Sequence, residues 1–241
     1  MSSTTAGAPA SPLLRLLLRS HLHAPGWVAA AVAAGGWLAL LIGAAHDPTH
    51  LVGVDATHRL AEAITHAAVM SAAMMAPLVV PHATWVGSFS FWRRRYRAIA
   101  VFLAGYLGVW TAISAAVLVV GPRTSSTLGW RTTLVVAFAV AITWSALPGR
   151  RRRLQRCGLT IPLAPDGWRA DADCLRYGFA IARPCVSTCG PLMVAVTIDH
   201  GLVVMALATA LSVADRRTPV GAGRSTAAVA ALGVLALALA P

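Results

Sequence analysis

The sequence predicts an all-α integral membrane protein, a polytopic bundle of about seven transmembrane helices with the N-terminus inside. Of the 241 residues, 57% are hydrophobic and only 12% are charged, and the mean hydropathy is +0.69. A soluble domain usually carries about 25% charged residues. The apolar residues form runs close to the length of about 20 that crosses a bilayer as a helix. Short clusters of arginine stand between these runs, as is typical of loops that flank transmembrane helices.

Seven apolar segments make up the predicted bundle. A run at 175–213 has about 39 residues and would measure about 58 Å as one helix. Because that is too long for a single span, the sequence predicts a break at Asp199-His200-Gly201. The other five segments are 26–45, 64–85, 98–120, 128–147 and 225–240.

The arginine clusters predict the orientation of the bundle. With seven helices and the N-terminus inside, the clusters at 93–97, 150–156 and 216–217 all fall on the inner side. Six helices would leave the last cluster outside, against the positive-inside rule. We therefore expect one transmembrane domain, 26–241, preceded by a cytoplasmic segment, 1–25.

One arginine conflicts with this arrangement. Arg183 lies inside the fifth apolar segment, where a charge is costly and usually functional. Alternatively, the membrane-embedded part begins at Pro184, since proline is favoured at the first helical position. Arg183 would then extend its charged head to the inner interface. The second interpretation is preferred.

The net charge of +12 does not indicate a nucleic-acid partner, because the arginines form no continuous stripe and no nucleic-acid-binding motif is present. The expected partner of this surface is the lipid bilayer. The sequence also lacks a Walker loop, a GxGxxG motif, a Ser-His-Asp set and a poised carboxylate pair. No enzymatic activity is predicted.

Two segments carry sulfur at helical spacing. His66, Met70 and Met74 stand four residues apart, with Met75 beside them and two prolines following that should kink the helix. In the fifth segment Cys185, Cys189 and Met193 repeat this spacing around Gly190-Pro191, which should interrupt the helix. At 1.5 Å per residue, Met70 matches Met193 in depth and Met74 matches Cys189, if the two helices are neighbours.

Thioether and thiolate ligands select soft ions, Cu(I) first. Carboxylates are nearly absent from the apolar segments, which argues against magnesium, calcium, manganese or a di-iron site. The alternative is packing, since methionine fills core gaps and cysteine is often buried as a small hydrophobe. Under the metal hypothesis the predicted ligands are Met70, Met74, Cys185, Cys189 and Met193. Met75 and His66 are lesser candidates.

Three motifs resemble those of a known family. They are MSAAMMAP at 70–77, FLAGYLGVW at 102–110 and CVSTCGPLM at 185–193. In this order and spacing they resemble the bacterial predicted metal-binding integral membrane proteins, a domain of unknown function. Members of that family are often labelled copper chaperones, and some are associated with copper-containing polyphenol oxidases. The resemblance implies a multi-pass protein of the bacterial inner membrane.

The sequence thus favours a membrane protein that binds copper as Cu(I) and passes it to a membrane or extracytoplasmic cuproenzyme, such as a polyphenol oxidase. Three alternatives stay open. The first is a thiol-disulfide oxidoreductase using Cys185 and Cys189, whose Cα atoms would lie about 6 Å apart on a helix, within bridging range. The others are a metal transporter and a structural subunit of a membrane complex. The roles of Cys157 and Cys174, which flank the predicted inner loop, are not fixed by the sequence.

Overall fold

The computed structural model describes residues 25–46, 56–164, 166–217 and 222–239, and these residues form helices joined by short connections. The predicted cytoplasmic segment, 1–25, lies outside them except for its last residue. One 3₁₀ turn, Ala76–Val79, separates α2 from α3. The α-helices are α1 (Trp27–His46), α2 (Ala56–Met75), α3 (Val80–Phe89), α4 (Arg95–Leu128), α5 (Trp130–Ala146), α6 (Arg150–Arg156), α7 (Gly167–Asp199), α8 (Leu202–Arg217) and α9 (Ala222–Leu239).

The all-α prediction of about seven helices is confirmed. The seven predicted segments correspond to α1, to α2 with α3, and to α4, α5, α7, α8 and α9, while α6 is a short helix in the predicted inner loop. By length and composition, four stretches within the described residues can cross a membrane. They are Trp27–Ala44, Leu60–Phe89, Arg95–Leu128 and Gly167–Asp199.

The predicted break after Ile198 is also confirmed. α7 ends at Asp199, and His200 adopts a left-handed conformation with φ of 56°. Its backbone N–H still donates to the Val196 carbonyl at 3.1 Å, so the last turn is closed. α8 begins two residues later, at Leu202.

The prolines act differently in the two sulfur-bearing segments. Pro77 lies in the 3₁₀ turn and Pro81 in the first turn of α3. The sequence predicts a kink at these prolines, and the structure has a 3₁₀ turn that interrupts the α-helix there. In α7, by contrast, Pro184 and Pro191 lie inside one continuous helix. The prediction that the helix is interrupted at Gly190-Pro191 is therefore wrong, while the predicted start of the membrane-embedded part at Pro184 stays a prediction.

A side chain from another helix accounts for part of this continuity. Pro191 has no N–H, so the carbonyl of Ser187, four residues earlier, loses its helical donor. The indole Nε1 of Trp144 on α5 donates to that carbonyl at 2.9 Å. Arg183 is exposed on the surface of α7, so it lies outside the packed interior of the bundle.

Helices α4 and α7 form the centre of the bundle and approach closely at two glycines. A β-carbon on Gly178 would overlap the Phe102 carbonyl oxygen and lie 2.8 Å from the Tyr106 nitrogen. A β-carbon on Gly105 would lie 2.7 Å from the Leu175 carbonyl oxygen. Small residues at such crossings allow helix backbones to approach within a membrane.

We expect Gly178→Ala to destabilise the protein by about 1–3 kcal/mol, because the overlapping atoms are backbone and no side-chain rotation relieves them. Gly108→Ala is the matched control on α4. A β-carbon there meets nothing within 4 Å, so no helix approaches closely at Gly108. Denaturant unfolding in detergent should show a loss only for the first variant, and an equal response of both would contradict this packing.

Candidate metal centre

Four methionines line one pocket between α2, α4 and α7, here called the methionine pocket. Its lining residues are Met70, Ser71, Met74, Met75, Trp110, Ser114, Met193 and Thr197. The four methionine side chains are all buried, with exposed fractions of 1–3%. They are four of the six methionines in the chain.

The spacing seen in the sequence explains how the pocket forms. Met70 and Met74 share one face of α2 because they are four residues apart. Both α2 and α7 pack on α4, and Trp110 of α4 lines the pocket between them. The methionines predicted at matching depths, Met70 and Met193, therefore meet at this pocket.

Two polar groups of the pocket lack hydrogen-bond partners. The Ser71 hydroxyl and the Trp110 indole N–H are both buried, with residue exposures of 3% and 1%, and neither makes a hydrogen bond within the part of the chain that the structure describes. A buried donor without a partner costs about 1–3 kcal/mol. Such groups commonly form hydrogen bonds to a bound water molecule or ligand, so the lining of this pocket is suited to bind one.

The cysteines of α7 do not line the methionine pocket. Cys185 is fully buried, and its sulfur lies 3.1 Å from the Tyr106 hydroxyl and 2.8 Å from Nη2 of Arg216. Cys189, one turn further along, contacts Cys185 through its thiol. We call these four residues, Cys185, Cys189, Tyr106 and Arg216, the thiol cluster.

Cys189 also lines a second cavity, on the side of α7 that faces α5. Its other lining residues include Trp144, Thr188 and the ion pair formed by Arg150 and Asp215. The predicted depth match of Met74 with Cys189 therefore does not bring these two residues to one pocket. The stripe along α7 divides, with Met193 in the methionine pocket and the two cysteines in the thiol cluster.

Arg216 connects the thiol cluster to the broken helix. Its Nη1 donates to the Leu78 carbonyl at 3.1 Å, while Nη2 contacts the Cys185 sulfur. Leu78 lies in the 3₁₀ turn, where the donor three residues ahead would be Pro81, which has no N–H. The end of α8 is thereby tied to the break that follows the methionines of α2.

Cys157 and Cys174 are buried at two separate places. The Cys157 sulfur lies 3.9 Å from the Thr188 hydroxyl, and the Cys157 carbonyl accepts a hydrogen bond from His82 Nε2 at 2.8 Å. The other ring nitrogen of His82 lies 2.7 Å from the Tyr177 hydroxyl. Burial raises the pKa of the Cys157 thiol, which favours its unreactive protonated form at neutral pH.

His66 is at the exposed end of the methionine stripe. Its ring stacks on that of His200, with the centroids 5.6 Å apart and 22° between the ring planes. Both residues are exposed. Among the described residues, no three His, Cys, Asp or Glu side chains come together closely enough to hold a metal ion.

Sequence reasoning missed several residues of these sites. The spacing argument gives Tyr106 and Trp110 no polar role, although a buried phenol or indole usually has a polar partner, and this is a signal in the sequence that points to them. Arg216 was interpreted only as an inner charge. Its contacts lie 31 and 138 residues away along the chain, and no local pattern reports contacts of that range.

The described structure is an all-helical protein with stretches able to cross a membrane and with a buried pocket lined by thioethers. The chain belongs to the PpoB2 copper chaperone family, whose sequence profile matches residues 65–240. The match covers the methionine pocket and the thiol cluster and confirms the family resemblance. No curated protein and no solved structure matches the chain.

Proposed function

We propose that this protein binds Cu(I) in the methionine pocket and delivers it to a cuproenzyme, such as a polyphenol oxidase, at the outer face of the bacterial inner membrane. The observation that carries the proposal is that Met70, Met74, Met75 and Met193 converge on one buried pocket. Membership of a copper chaperone family supports copper as the metal.

The chemistry of the pocket suits Cu(I). Thioethers are soft and uncharged, so they hold a soft monovalent ion without placing a carboxylate in an apolar interior. None of the described residues that line this pocket is a carboxylate, which disfavours hard divalent ions. Trp110 also lines the pocket, and an indole is the aromatic ring that attracts cations most strongly.

The thiol cluster is a less suitable first site. The Cys185 sulfur is already contacted by the cation of Arg216 and by the Tyr106 hydroxyl. A copper ion bound there would have to displace the guanidinium or share the site with it, and two cations in a buried site repel each other. We therefore assign the initial copper to the methionines, and we keep Cys185 and Cys189 as candidates for a second position.

The test is the copper content of the detergent-purified chain after Cu(I) loading under reducing conditions. We expect about one copper per chain in the wild type and almost none in the Met70→Leu, Met74→Leu, Met193→Leu variant, because leucine offers no ligand. Leucine is close to methionine in volume, so the fold should be retained.

Met205→Leu is the matched control, since Met205 is equally buried, at 1%, but lies on α8 outside the pocket. A Cys185→Ser, Cys189→Ser variant tests the thiol cluster in the same way, with Cys174→Ser as its control. Copper lost only with the cysteines would move the site to the thiol cluster. Absence of copper from the wild type would overturn the proposal.

The chaperone role requires a transfer assay. Copper-loaded protein should activate a copper-free polyphenol oxidase in the presence of a Cu(I) chelator, and the triple methionine variant should not. A transporter predicts metal flux across proteoliposomes, which a chaperone does not require. Thiol-disulfide exchange is disfavoured because Cys185 and Cys189 are only 0% and 6% exposed, which leaves a partner thiol no access.

A further inference from the structure

A pair of histidines marks one end of the methionine pocket. His66 is one turn before Met70 on α2, and His200 is three residues after Thr197 at the end of α7. Met70 and Thr197 both line the pocket. The two imidazoles therefore stand one turn beyond the pocket on two of its walls, and their rings are stacked with centroids 5.6 Å apart.

The position of His200 is fixed by the local backbone. It occupies the left-handed residue that ends α7, and only Gly201 separates it from α8. Its ring Nδ1 lies 3.1 Å from the Ile198 carbonyl oxygen. Because a carbonyl only accepts, Nδ1 is the donor in this contact, and in the neutral imidazole the lone pair is then on Nε2. Metal-binding histidines are commonly oriented by this kind of hydrogen bond to a backbone carbonyl.

The histidine pair differs from the methionine pocket in its exposure to solvent and in how tightly it would bind copper. Both histidines are exposed, whereas the methionines are buried. Among the described residues no third His, Cys, Asp or Glu joins the two rings to complete a chelate. Two imidazoles suffice for Cu(I), which accepts low coordination numbers, but they hold it less firmly than a closed site does. Such a site is suited to exchange.

We propose that His66 and His200 form the port through which Cu(I) enters and leaves the methionine pocket. The inference rests on the proposed function and deepens it, since it names the end of the pocket at which a donor or acceptor protein must present its copper ligands. Copper would pass from the imidazoles to Met70, the pocket ligand next along α2, without a change of oxidation state.

The test measures the rate of copper loading separately from its endpoint. For a His66→Ala, His200→Ala variant, Cu(I) loading under reducing conditions should be about tenfold slower, the lower end of what loss of a supporting residue costs a metal site. The copper bound per chain at equilibrium should match that of the wild type. His66→Met, which retains a soft ligand, should load at nearly the wild-type rate.

Thr65→Ala is the control, because Thr65 is exposed beside His66 and its hydroxyl donates to the Ala61 carbonyl of the same helix. A double histidine variant that loads as fast as Thr65→Ala would overturn the port while leaving the pocket intact. A wild-type protein that holds no copper would instead overturn the proposed function. Loss of endpoint copper in the double variant would make the histidines part of the storage site and contradict the port.

Discussion

Asp215→Leu is expected to destabilise the protein by about 3–5 kcal/mol, the cost of leaving one member of a buried ion pair without its partner. The Asp215 carboxylate accepts from Arg150 Nη2 at 2.6 Å and from the Ser225 hydroxyl at 2.8 Å. The side chains of Arg150 and Asp215 are only 10% and 4% exposed. The substitution would leave the guanidinium buried and would also break the links between α6, α8 and α9.

A second substitution should restore much of the stability that Asp215→Leu removes. In an Arg150→Met, Asp215→Leu variant neither charge of this ion pair is left buried without its partner, and apolar replacements of buried ion pairs are often neutral or stabilising. Arg176→Ala serves as a surface control. Its guanidinium lies 4.0 Å from Asp173 and its side chain is 79% exposed, so its loss should cost between zero and about 1 kcal/mol.

Denaturant unfolding in detergent measures all three variants. A second readout is available because the cavity beside this ion pair is also lined by Cys189. The single variant should therefore show faster alkylation of Cys189, and the double variant should not. Equal stability of Asp215→Leu and the wild type would show that the ion pair does not hold these helices together.

The helices were predictable because the bilayer imposes a length on apolar segments. The break at His200 followed from this constraint, since 39 residues exceed one span. The prolines show where local rules fail. Pro191 alone predicts an interruption, but the indole N–H of Trp144 supplies the hydrogen bond that proline cannot make, and a compensating donor on another helix leaves no local signal.

The candidate site was predictable to the extent that spacing defines a helix face. Met70 and Met74 belong together because four residues make about one turn. Which face of α7 they meet depends on rotation about the helix axis, which spacing does not determine. In the structure Met193 reaches the methionine pocket and Cys189 lines another cavity, although both belong to the predicted stripe.

Substitution of Arg216 is expected to have the second large effect on the stability of the protein. Arg216→Met keeps most of the side-chain volume but removes the guanidinium that joins Leu78 on the 3₁₀ turn to Cys185 on α7. Each buried acceptor left without a donor costs about 1–3 kcal/mol. We therefore expect a loss of about 2–4 kcal/mol once part of this is offset by no longer burying a charge. Arg217→Met is the matched control, since Arg217 is the exposed next residue and its loss should change stability by less than about 0.5 kcal/mol.

The same variant tests how the thiol cluster relates to copper. Without the guanidinium, no cation at the Cys185 sulfur repels copper, so copper should be able to bind to the Cys185 and Cys189 pair. If the methionines hold the first copper, Arg216→Met should bind a second ion, and adding Cys185→Ser should remove it. Tighter binding of a single copper would instead mean that Arg216 competes with copper for one shared site. Unchanged copper binding in a folded variant would indicate that Arg216 serves only to tie α8 to the helix break and to α7.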